Sequence, residues 1–420
     1  MQDDVSTGSE PGSNCTNFNG TLSIVYQIVM PCLPFFCSRK FDSARHFGEL
    51  EEELSGVQGV KVYSYKELKI ATDDFSETNK IGEGGFGPVF KGKLKNGDVI
   101  AIKVLSAKSA QGTREFLTEI KVIADIEHEN LVKLCGCCIE GTQRILVYEY
   151  LDNNSLAQTL LGRGHSNLQF SWRTRTRICI DVARGLAFLH DEVKPYIVHR
   201  DIKAGNILLD RHMTAKISDF GLAKLIPDNM THVSTRVAGT IGYLAPEYAI
   251  RGQLTRKADI YSFGVLLMEI VCGRCNTNTR LPVEDQYLLE KTWDHYEKKK
   301  LFELVDVFLN GDFDAEEACN FLKIGLLCTQ DSPKLRPTMS TVVKMLKGEL
   351  NCNDRTISKP GLISDFMELK IKKAPKPEPA MNKNSYSNTS SDLYSNDTTF
   401  TSKDSTQPTM TFTAISERSD

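Results

Sequence analysis

The sequence has no marked excess of either charge and no uninterrupted apolar run long enough to cross a membrane. Its 420 residues include 51 Lys or Arg and 54 Asp or Glu, for a net charge of −3, and no basic arm is evident. We therefore expect no nucleic-acid partner. The apolar run from Leu22 to Cys37 is interrupted by Pro31 and Pro34 and is shorter than the about 20 residues that a spanning helix needs.

The 12 cysteines have no regular spacing, which favours reduced thiols in a cytosolic setting over a disulfide framework. Cys135/Cys138 and Cys272/Cys275 have the Cys-x-x-Cys spacing that zinc sites use. The two pairs are far apart in the chain and lie within apolar runs. We therefore interpret them as small hydrophobic core residues.

Residues 1–60 are predicted to be a disordered leader. Within segment 30–40, Cys32 and Cys37 lie among aromatic residues and precede Arg39 and Lys40. This pattern is typical of palmitoylation beside a small basic patch. A lipid anchor here would hold the protein at the inner face of the plasma membrane, whereas an unmodified leader would leave it in the cytosol. Both alternatives stay open, as does translation starting at Met30.

A short docking helix is predicted for residues 61–74. Ser64 and Glu67 have the spacing of a capping box, and Leu68, Ala71 and Phe75 then fall on one helical face. From Ile81 to Leu105 the pattern changes to strand, turn and strand, with Asn96-Gly97 as the hairpin turn.

The second half of the sequence is dominated by long apolar runs with helical periodicity. These runs are Trp172 to His190, Ala258 to Val271, Ala315 to Cys328 and Thr338 to Leu346. A small strand-rich unit followed by a larger helical unit indicates an α+β fold. Residues 351–420 are predicted to be a disordered tail, because residues 381–420 contain 17 Ser or Thr and few apolar groups.

One motif carries most of the chemistry. Asp201, Lys203 and Asn206 follow His199-Arg200 within a few residues, and Asp219 begins Asp219-Phe220-Gly221. Phosphoryl transfer needs a carboxylate to accept a hydroxyl proton and a lysine to steady the moving phosphate. It also needs an Asn and a second carboxylate to hold Mg²⁺.

A glycine-rich loop and a strand lysine precede this motif. Gly82-Glu83-Gly84-Gly85-Phe86-Gly87 is followed by a strand and a hairpin, whereas a dinucleotide-binding loop would be followed by a helix. A flexible lid over ATP phosphates is therefore favoured. Lys103 lies on a half-buried strand and needs a negative partner. Glu119, on an apolar helical face, is the preferred partner and Glu115 is the alternative.

In this order, the motifs resemble those of eukaryotic protein kinases, from about Phe75 to Leu350. The segment Tyr63 to Ser76 also resembles the plant receptor-like cytoplasmic serine/threonine kinases, particularly the cold-responsive protein kinase group. The resemblance implies a two-lobed kinase fold. Its N-lobe, residues 75–148, would be a small antiparallel β-sheet with one main helix, and its C-lobe, residues 152–350, would be larger and mainly helical. It also implies ATP and Mg²⁺ as cofactors and protein Ser/Thr hydroxyls as substrates.

The resemblance also assigns roles to individual residues. Lys103, Glu119, Asp201 and Lys203 would be catalytic, and Asn206 and Asp219 would bind the metal. Tyr148 would occupy the gatekeeper position. The nucleotide would contact Ile81, Gly82, Glu83, Gly84, Gly85, Phe86, Gly87, Val89, Ala101, Lys103, Glu149 and Leu151.

Regulation is expected to involve Arg200 and the segment Asp219 to Glu247. A phosphate adds about −1.5 to −2 charges and can order a segment through arginine contacts. Thr231, Ser234, Thr235 and Thr240 lie in this segment. Ser234 or Thr235 is the preferred activating site, whereas Thr240 is expected to line the substrate groove and to bond Asp201 and Lys203.

Two further pairings are implied by the resemblance. Glu247 would form a buried ion pair with Arg336, and Asp259 would brace the backbone of the catalytic loop.

The sequence favours an active kinase that signals near the membrane, with an upstream receptor kinase as a possible partner. Two alternatives make different predictions. A kinase-fold scaffold or allosteric partner of a receptor complex predicts a missing lysine, base or metal ligand, and none is missing. A fragment of a receptor predicts a transmembrane run, which the interrupted segment 22–37 only partly resembles.

Overall fold

A computed structural model describes residues 60–84, 87–105, 110–162, 168 and 170–362, together with the backbone of 411–413. The predictions for the leader, including the anchor segment 30–40, lie outside the described residues, as do those for Gly85 and Phe86. No helix in the described part of the chain is both long and apolar enough to cross a membrane.

A six-stranded sheet forms the N-terminal lobe. Its strand order is β1-β5-β6-β4-β3-β2, with β1 parallel to β5 and the other neighbours antiparallel. The hairpin between β3 and β4 turns at Gly97, whose φ of 94° favours glycine. The strands are β1 (Lys61–Val62), β2 (Lys80–Gly84), β3 (Gly87–Lys93), β4 (Val99–Leu105), β5 (Leu134–Glu140) and β6 (Gln143–Glu149).

Helix α1 (Tyr65–Ala71) packs on this sheet. Ser64 caps it by accepting a hydrogen bond from the Glu67 amide at 3.1 Å, and Leu68 is fully buried in the core of the lobe. The helix is shorter than the predicted range 61–74. Strand β1 precedes it, and left-handed backbone from Asp73 to Phe75 follows it.

Helix α2 (Ala110–Ile123) is the main helix of the N-terminal lobe. Phe116 and Ile120 on its inner face are fully buried, and so is the charged side chain of Glu119. A buried carboxylate is costly unless a cation or a hydrogen-bond donor meets it, so this position points to a partner across the lobe.

The C-terminal lobe is built around one buried helix, α6. Nearly every residue from Ala258 to Cys272 is buried, and a side chain at Gly264 would place its Cβ 2.7 Å from that of Cys328. Glycine therefore allows α8 to lie close against α6. The helices of the lobe are α3 (Leu156–Thr159), α4 (Trp172–Ala187), α5 (Pro246–Arg251), α6 (Arg256–Cys272), α7 (Leu288–Glu297), α8 (Ala315–Thr329) and α9 (Met339–Leu346).

Four short strand pairs flank loops of the C-terminal lobe. The first two pairs flank residues 199–206 and 218–223, where the predicted catalytic and metal-binding residues lie. The pairs are β7 (Tyr196–Val198) with β10 (Lys224–Ile226), β8 (Ile207–Leu209) with β9 (Ala215–Ile217), β11 (Val233–Ser234) with β13 (Gln253–Leu254), and β12 (Ala238–Thr240) with β14 (Thr411–Thr413).

The structure differs from the predicted tail, residues 351–420, in two places. Residues 351–362 pack on the helical lobe: the Gly361 amide donates to the Thr329 carbonyl at 3.1 Å, and the Tyr261 hydroxyl donates to the Gly361 carbonyl at 2.7 Å. Strand β14 is the second place. Backbone hydrogen bonds hold both segments, and such bonds produce no hydrophobic period in the sequence.

The core interpretation of the Cys-x-x-Cys pairs is only partly right. Cys138 and Cys272 are buried, and Cys135 packs at the edge of the N-lobe core. Cys275 is exposed, because it lies beyond the end of α6.

Candidate active site

A cavity of about 340 Å³ lies where the sheet meets the helical lobe. Strands β2 to β4 contribute one wall, and the loops around Asn206 and Asp219 contribute the other. The predicted nucleotide contacts that line it are Ile81, Gly82, Glu83, Gly87, Val89, Ala101, Lys103, Glu149 and Leu151. The prediction for Gly84 concerns a residue for which only the backbone is described.

Several residues that line the cavity were not predicted from the sequence, notably Val132, Leu208 and Ser218. Leu208 lies between the buried Ile207 and Leu209 in a run of three apolar residues, so alternation could not identify it. Its proximity to the cavity depends on how the two lobes meet.

Lys103 lies between two carboxylates. Its Nζ is 3.0 Å from Oε1 of Glu119 and 2.8 Å from Oδ1 of Asp219. Burial alone would lower the pKa of Lys103, but Asp219 and Glu119 outweigh it and raise that pKa above its ordinary value. Burial likewise opposes ionisation of Asp219, yet Lys103 holds the pKa of Asp219 below its usual range. The lysine is therefore a fixed cation inside the cavity.

Glu119 has a second partner that the sequence did not predict. The hydroxyl of Tyr148, the proposed gatekeeper, donates a hydrogen bond to Oε2 of Glu119. The alternative carboxylate, Glu115, accepts a hydrogen bond from Gln111 at 3.0 Å, and burial raises its pKa to about 7. The Lys103–Glu119 pair thus forms as the preferred prediction has it.

Asp201 is the centre of a second polar network. Its Oδ1 accepts a hydrogen bond from the Thr240 hydroxyl at 2.7 Å, and its Oδ2 accepts one from Asn206 Nδ2 at 3.0 Å. Lys203 Nζ lies 2.8 Å from Asp201 Oδ2 and 2.9 Å from Thr240 Oγ1. The two hydrogen bonds predicted for Thr240 are therefore present. The carboxylate is buried but fully paired.

Asp259 supports the backbone that carries Asp201. Its two carboxylate oxygens accept hydrogen bonds from the amides of His199 (2.7 Å) and Arg200 (2.8 Å), and His190 Nε2 lies 2.9 Å away. Arg200 has a φ of 74°, which a non-glycine residue adopts only when its surroundings stabilise it. The brace expected from Asp259 is present.

The residues present fit a divalent metal that is bound together with a nucleotide. Asn206 and Asp219 line the same cavity and offer oxygen atoms, which Mg²⁺ prefers. No group of three or more His, Cys, Asp or Glu that could hold an ion occurs in the described part of the chain. A site with one or two protein ligands suits a cation that also needs phosphate oxygens. When bound, such a cation would neutralise charge on the phosphates.

Arg200 contacts backbone groups of the segment that follows Asp219. Its guanidinium donates to the carbonyls of Leu222 (3.0 Å) and Arg236 (2.7 Å) and to the Tyr248 hydroxyl. Thr231 and Ser234 are exposed, Thr235 is half-buried, and Thr240 is buried. The exposed hydroxyls can be reached by another protein, whereas the Thr240 hydroxyl is occupied.

Glu247 and Arg336 close the far end of this segment. Two parallel contacts join them, at 2.7 and 2.9 Å, and the Arg336 side chain is fully buried. The expected buried ion pair is therefore present with bidentate geometry.

A sheet lobe and a helical lobe, with Lys103, Asn206 and Asp219 lining one cavity and Asp201 bonded to Asn206, define a protein kinase. The family model described as protein tyrosine and serine/threonine kinase matches residues 75–346. The chain belongs to this family, which confirms the resemblance and the two-lobed α+β fold expected from the sequence.

Similar proteins indicate which kind of protein kinase this chain is. Cold-responsive protein kinase 1 of Arabidopsis thaliana is 64% identical over 366 residues, covering 86% of this chain and 92% of the relative. Two probable LRR receptor-like serine/threonine-protein kinases of the same species are 53% and 57% identical over 83% and 71% of this chain. This chain spans only 33% and 29% of their lengths. The chain is a serine/threonine protein kinase, for which ATP, a divalent metal and protein substrates follow from the family.

Proposed function

We propose that this kinase uses Mg²⁺ and the following division of labour. Asp201 orients the substrate hydroxyl and accepts its proton, and Lys203 neutralises charge on the transferred phosphate. Lys103, held by Glu119, binds the ATP phosphates, and Asn206 and Asp219 supply the metal ligands. The observation that carries this proposal is that the Lys103 and Asp201 networks meet at one cavity.

Positioning is the main contribution of these residues. The transition state of phosphoryl transfer is loose, so catalysis depends on alignment and charge more than on proton removal. Thr240 and Asn206 hold both oxygens of Asp201, which limits rotation of the carboxylate. Lys203 lies beside the same carboxylate, where a transferred phosphate would need a cation.

The proposed roles are tested by purifying wild type, Lys103→Glu, Asp201→Asn and Asp219→Asn and incubating each with labelled ATP, Mg²⁺ and a generic protein substrate. We expect each variant to lose transfer. Asp201→Asn and Asp219→Asn should keep the thermal unfolding midpoint within a few degrees, whereas Lys103→Glu, which leaves the buried Glu119 without its cation, should lower it. An Asp219→Asn protein with wild-type turnover in Mg²⁺ would refute the metal assignment. Full activity of all three variants would refute the site.

Activation is proposed to follow phosphorylation of Ser234 or Thr235. The hydrogen bonds described above for the Arg200 guanidinium go to backbone carbonyls and a tyrosine hydroxyl, which carry no negative charge, so the guanidinium can still pair with a phosphate. Phosphosite mapping after incubation with ATP, combined with Ser234→Ala and Thr235→Ala, tests this. If neither substitution changes the rate, the activating site lies elsewhere.

The location is proposed to be the inner face of the plasma membrane, through acylation of Cys32 and Cys37, downstream of a receptor kinase. The sequence pattern and the receptor-like relatives support this proposal. Changing both cysteines to serine should release the protein from the membrane fraction, whereas Cys15→Ser should not. An unchanged membrane fraction for the double variant would refute the anchor.

A further inference from the structure

A second cavity, of about 600 Å³, lies along helix α4 and shares no lining residue with the nucleotide cavity. Three arginines line it, with three threonines and two acidic residues. We call it the arginine pocket: Arg173, Arg177, Arg184, Thr174, Thr176, Thr214, Ile180, Asp181 and Glu129.

Arg173 makes the start of α4 electrostatically unfavourable. The first turn of this helix contains no acidic residue, although carboxylates stabilise the positive N-terminal end of a helix and cations destabilise it. Arg173 and Arg177 are also four residues apart on one face, where like charges repel. Arg175, between them, is different because it is buried and paired with Asp306.

Asp181 and Glu129 compensate this charge only in part, because two carboxylates face three arginines and Asp181 lies nearest to Arg177 and Arg184 along the helix. Arg173 has no carboxylate partner within the described residues. Arg177 donates to the carbonyls of His212 (2.8 Å) and Met213 (3.4 Å), which orient the guanidinium without neutralising it. Arg184 forms only an exposed contact with Glu129 at 3.5 Å, and such surface pairs contribute little.

The polar groups locate where an anion would bind. Asp181 is buried and accepts a hydrogen bond from the Ala215 amide at 3.2 Å, so its carboxylate would repel an anion at that end. Along α4, Arg173 lies two helical turns, about 12 Å, before Asp181, with Thr174 next to it in the sequence and Arg177 midway between. The side chains of Arg173 and Arg177 are exposed. Two guanidinium forks and a hydroxyl match the three oxygens of a phosphate monoester better than they match a single carboxylate.

We propose that the arginine pocket binds a phosphoserine or phosphothreonine carried by a protein segment. Such a group bears about −1.5 to −2 charges at neutral pH, enough to compensate both arginines. The segment is either the Ser/Thr-rich region 381–420 of this chain, which contains 17 such residues, or a phosphorylated partner. Only the first source depends on the kinase activity of the chain itself.

The test uses full-length protein treated with phosphatase and isothermal titration calorimetry. The probes are a synthetic peptide of residues 385–397 phosphorylated at Ser391, the same peptide without phosphate, and inorganic phosphate. We expect the phosphopeptide to bind at least about tenfold more tightly than the unmodified peptide. Arg173→Glu/Arg177→Glu should abolish this difference, and Arg173→Lys/Arg177→Lys should keep part of it. Arg355→Glu, which alters an exposed arginine outside the pocket, should leave binding unchanged.

Folding of the double glutamate variant is checked by its thermal unfolding midpoint, which we expect within a few degrees of wild type. Glu suits position 173 in the first turn of the helix, whereas Arg177→Glu loses two exposed hydrogen bonds. Equal affinity for both peptides, or equal phosphopeptide binding by wild type and the folded glutamate variant, would overturn the proposal. Among supporting outcomes, weaker peptide binding by the autophosphorylated chain assigns the occupant to its own tail. Unchanged binding assigns it to a partner.

Discussion

Tyr148 and Glu119 are joined by a hydrogen bond across the N-terminal lobe. The tyrosine hydroxyl donates to Oε2 of Glu119, while Oε1 of the same carboxylate lies 3.0 Å from Nζ of Lys103. One buried carboxylate thus links the gatekeeper position on β6 to the lysine on β4. The bond limits how far α2 can move from the sheet without leaving a buried polar group unpaired.

Tyr148→Phe should therefore destabilise the protein and weaken ATP binding. Losing a hydrogen bond to a charged group costs about 1.5–3 kcal/mol, so we expect a loss of about 2 kcal/mol in the free energy of unfolding and a higher KM for ATP. Tyr150→Phe is the control, since the contact described for that ring is with Lys91. Urea unfolding and ATP kinetics give both values. Identical behaviour of the two variants would contradict the role of the Tyr148 hydroxyl.

Thr240→Val should lower kcat by at least about tenfold, because it removes the hydroxyl that bonds both Asp201 and Lys203. Thr240→Ser keeps that hydroxyl and should retain most activity. Steady-state kinetics with a peptide substrate measure the two rates. If Thr240→Ser and Thr240→Val lowered kcat equally, loss of the hydroxyl could not explain the effect, and the prediction would be wrong.

Glu247→Ala should be among the most destabilising single changes. It leaves the fully buried guanidinium of Arg336 without its carboxylate, and breaking a buried pair costs about 3–5 kcal/mol. We expect about 3 kcal/mol, since Glu247 is 16% exposed. Glu349→Ala, which removes an exposed contact with Lys347 at 3.9 Å, should cost less than about 0.5 kcal/mol. Urea unfolding measures the loss in free energy of unfolding for both variants. Similar losses for the two variants would contradict the prediction.

Glu269 should make stability depend on pH. Its side chain is fully buried. It accepts hydrogen bonds from the backbone amide of Asn276 at 2.7 Å and from the Tyr243 hydroxyl at 2.8 Å. Burial raises the pKa of Glu269 from 4.5 to about 7. The folded protein therefore binds the proton more tightly than the unfolded chain, and stability falls as the pH rises through this window.

The measurement compares wild type with Glu269→Gln by urea unfolding between pH 4.5 and 7.5. Wild type should lose about 3 kcal/mol of unfolding free energy relative to Glu269→Gln as the pH rises over this range. The difference between the two proteins should become constant above the folded-state pKa of Glu269. Exposed Glu316→Gln is the matched control. A pH-independent difference for Glu269→Gln would contradict the shifted pKa of Glu269.

Much of the site could be predicted because its motifs are local. Alternation along β4 identified Lys103, and the helical face of α2 identified Glu119, so their pairing followed from charge alone. The Tyr148–Glu119 bond and the lining residues Val132 and Leu208 could not be predicted in this way. Their positions depend on side chains that approach from separate strands and loops.

The sequence by itself determined the class of the protein, the order of its two lobes and most of the predicted residues that line the cavity, because short motifs and hydrophobic periods encode these locally. Only the tertiary structure decided which oxygens of Asp201 and Glu119 are occupied, that residues 351–362 pack on the helical lobe, and that Arg173 and Arg177 line a cavity. These properties depend on contacts between residues far apart in the chain, and no local pattern records them.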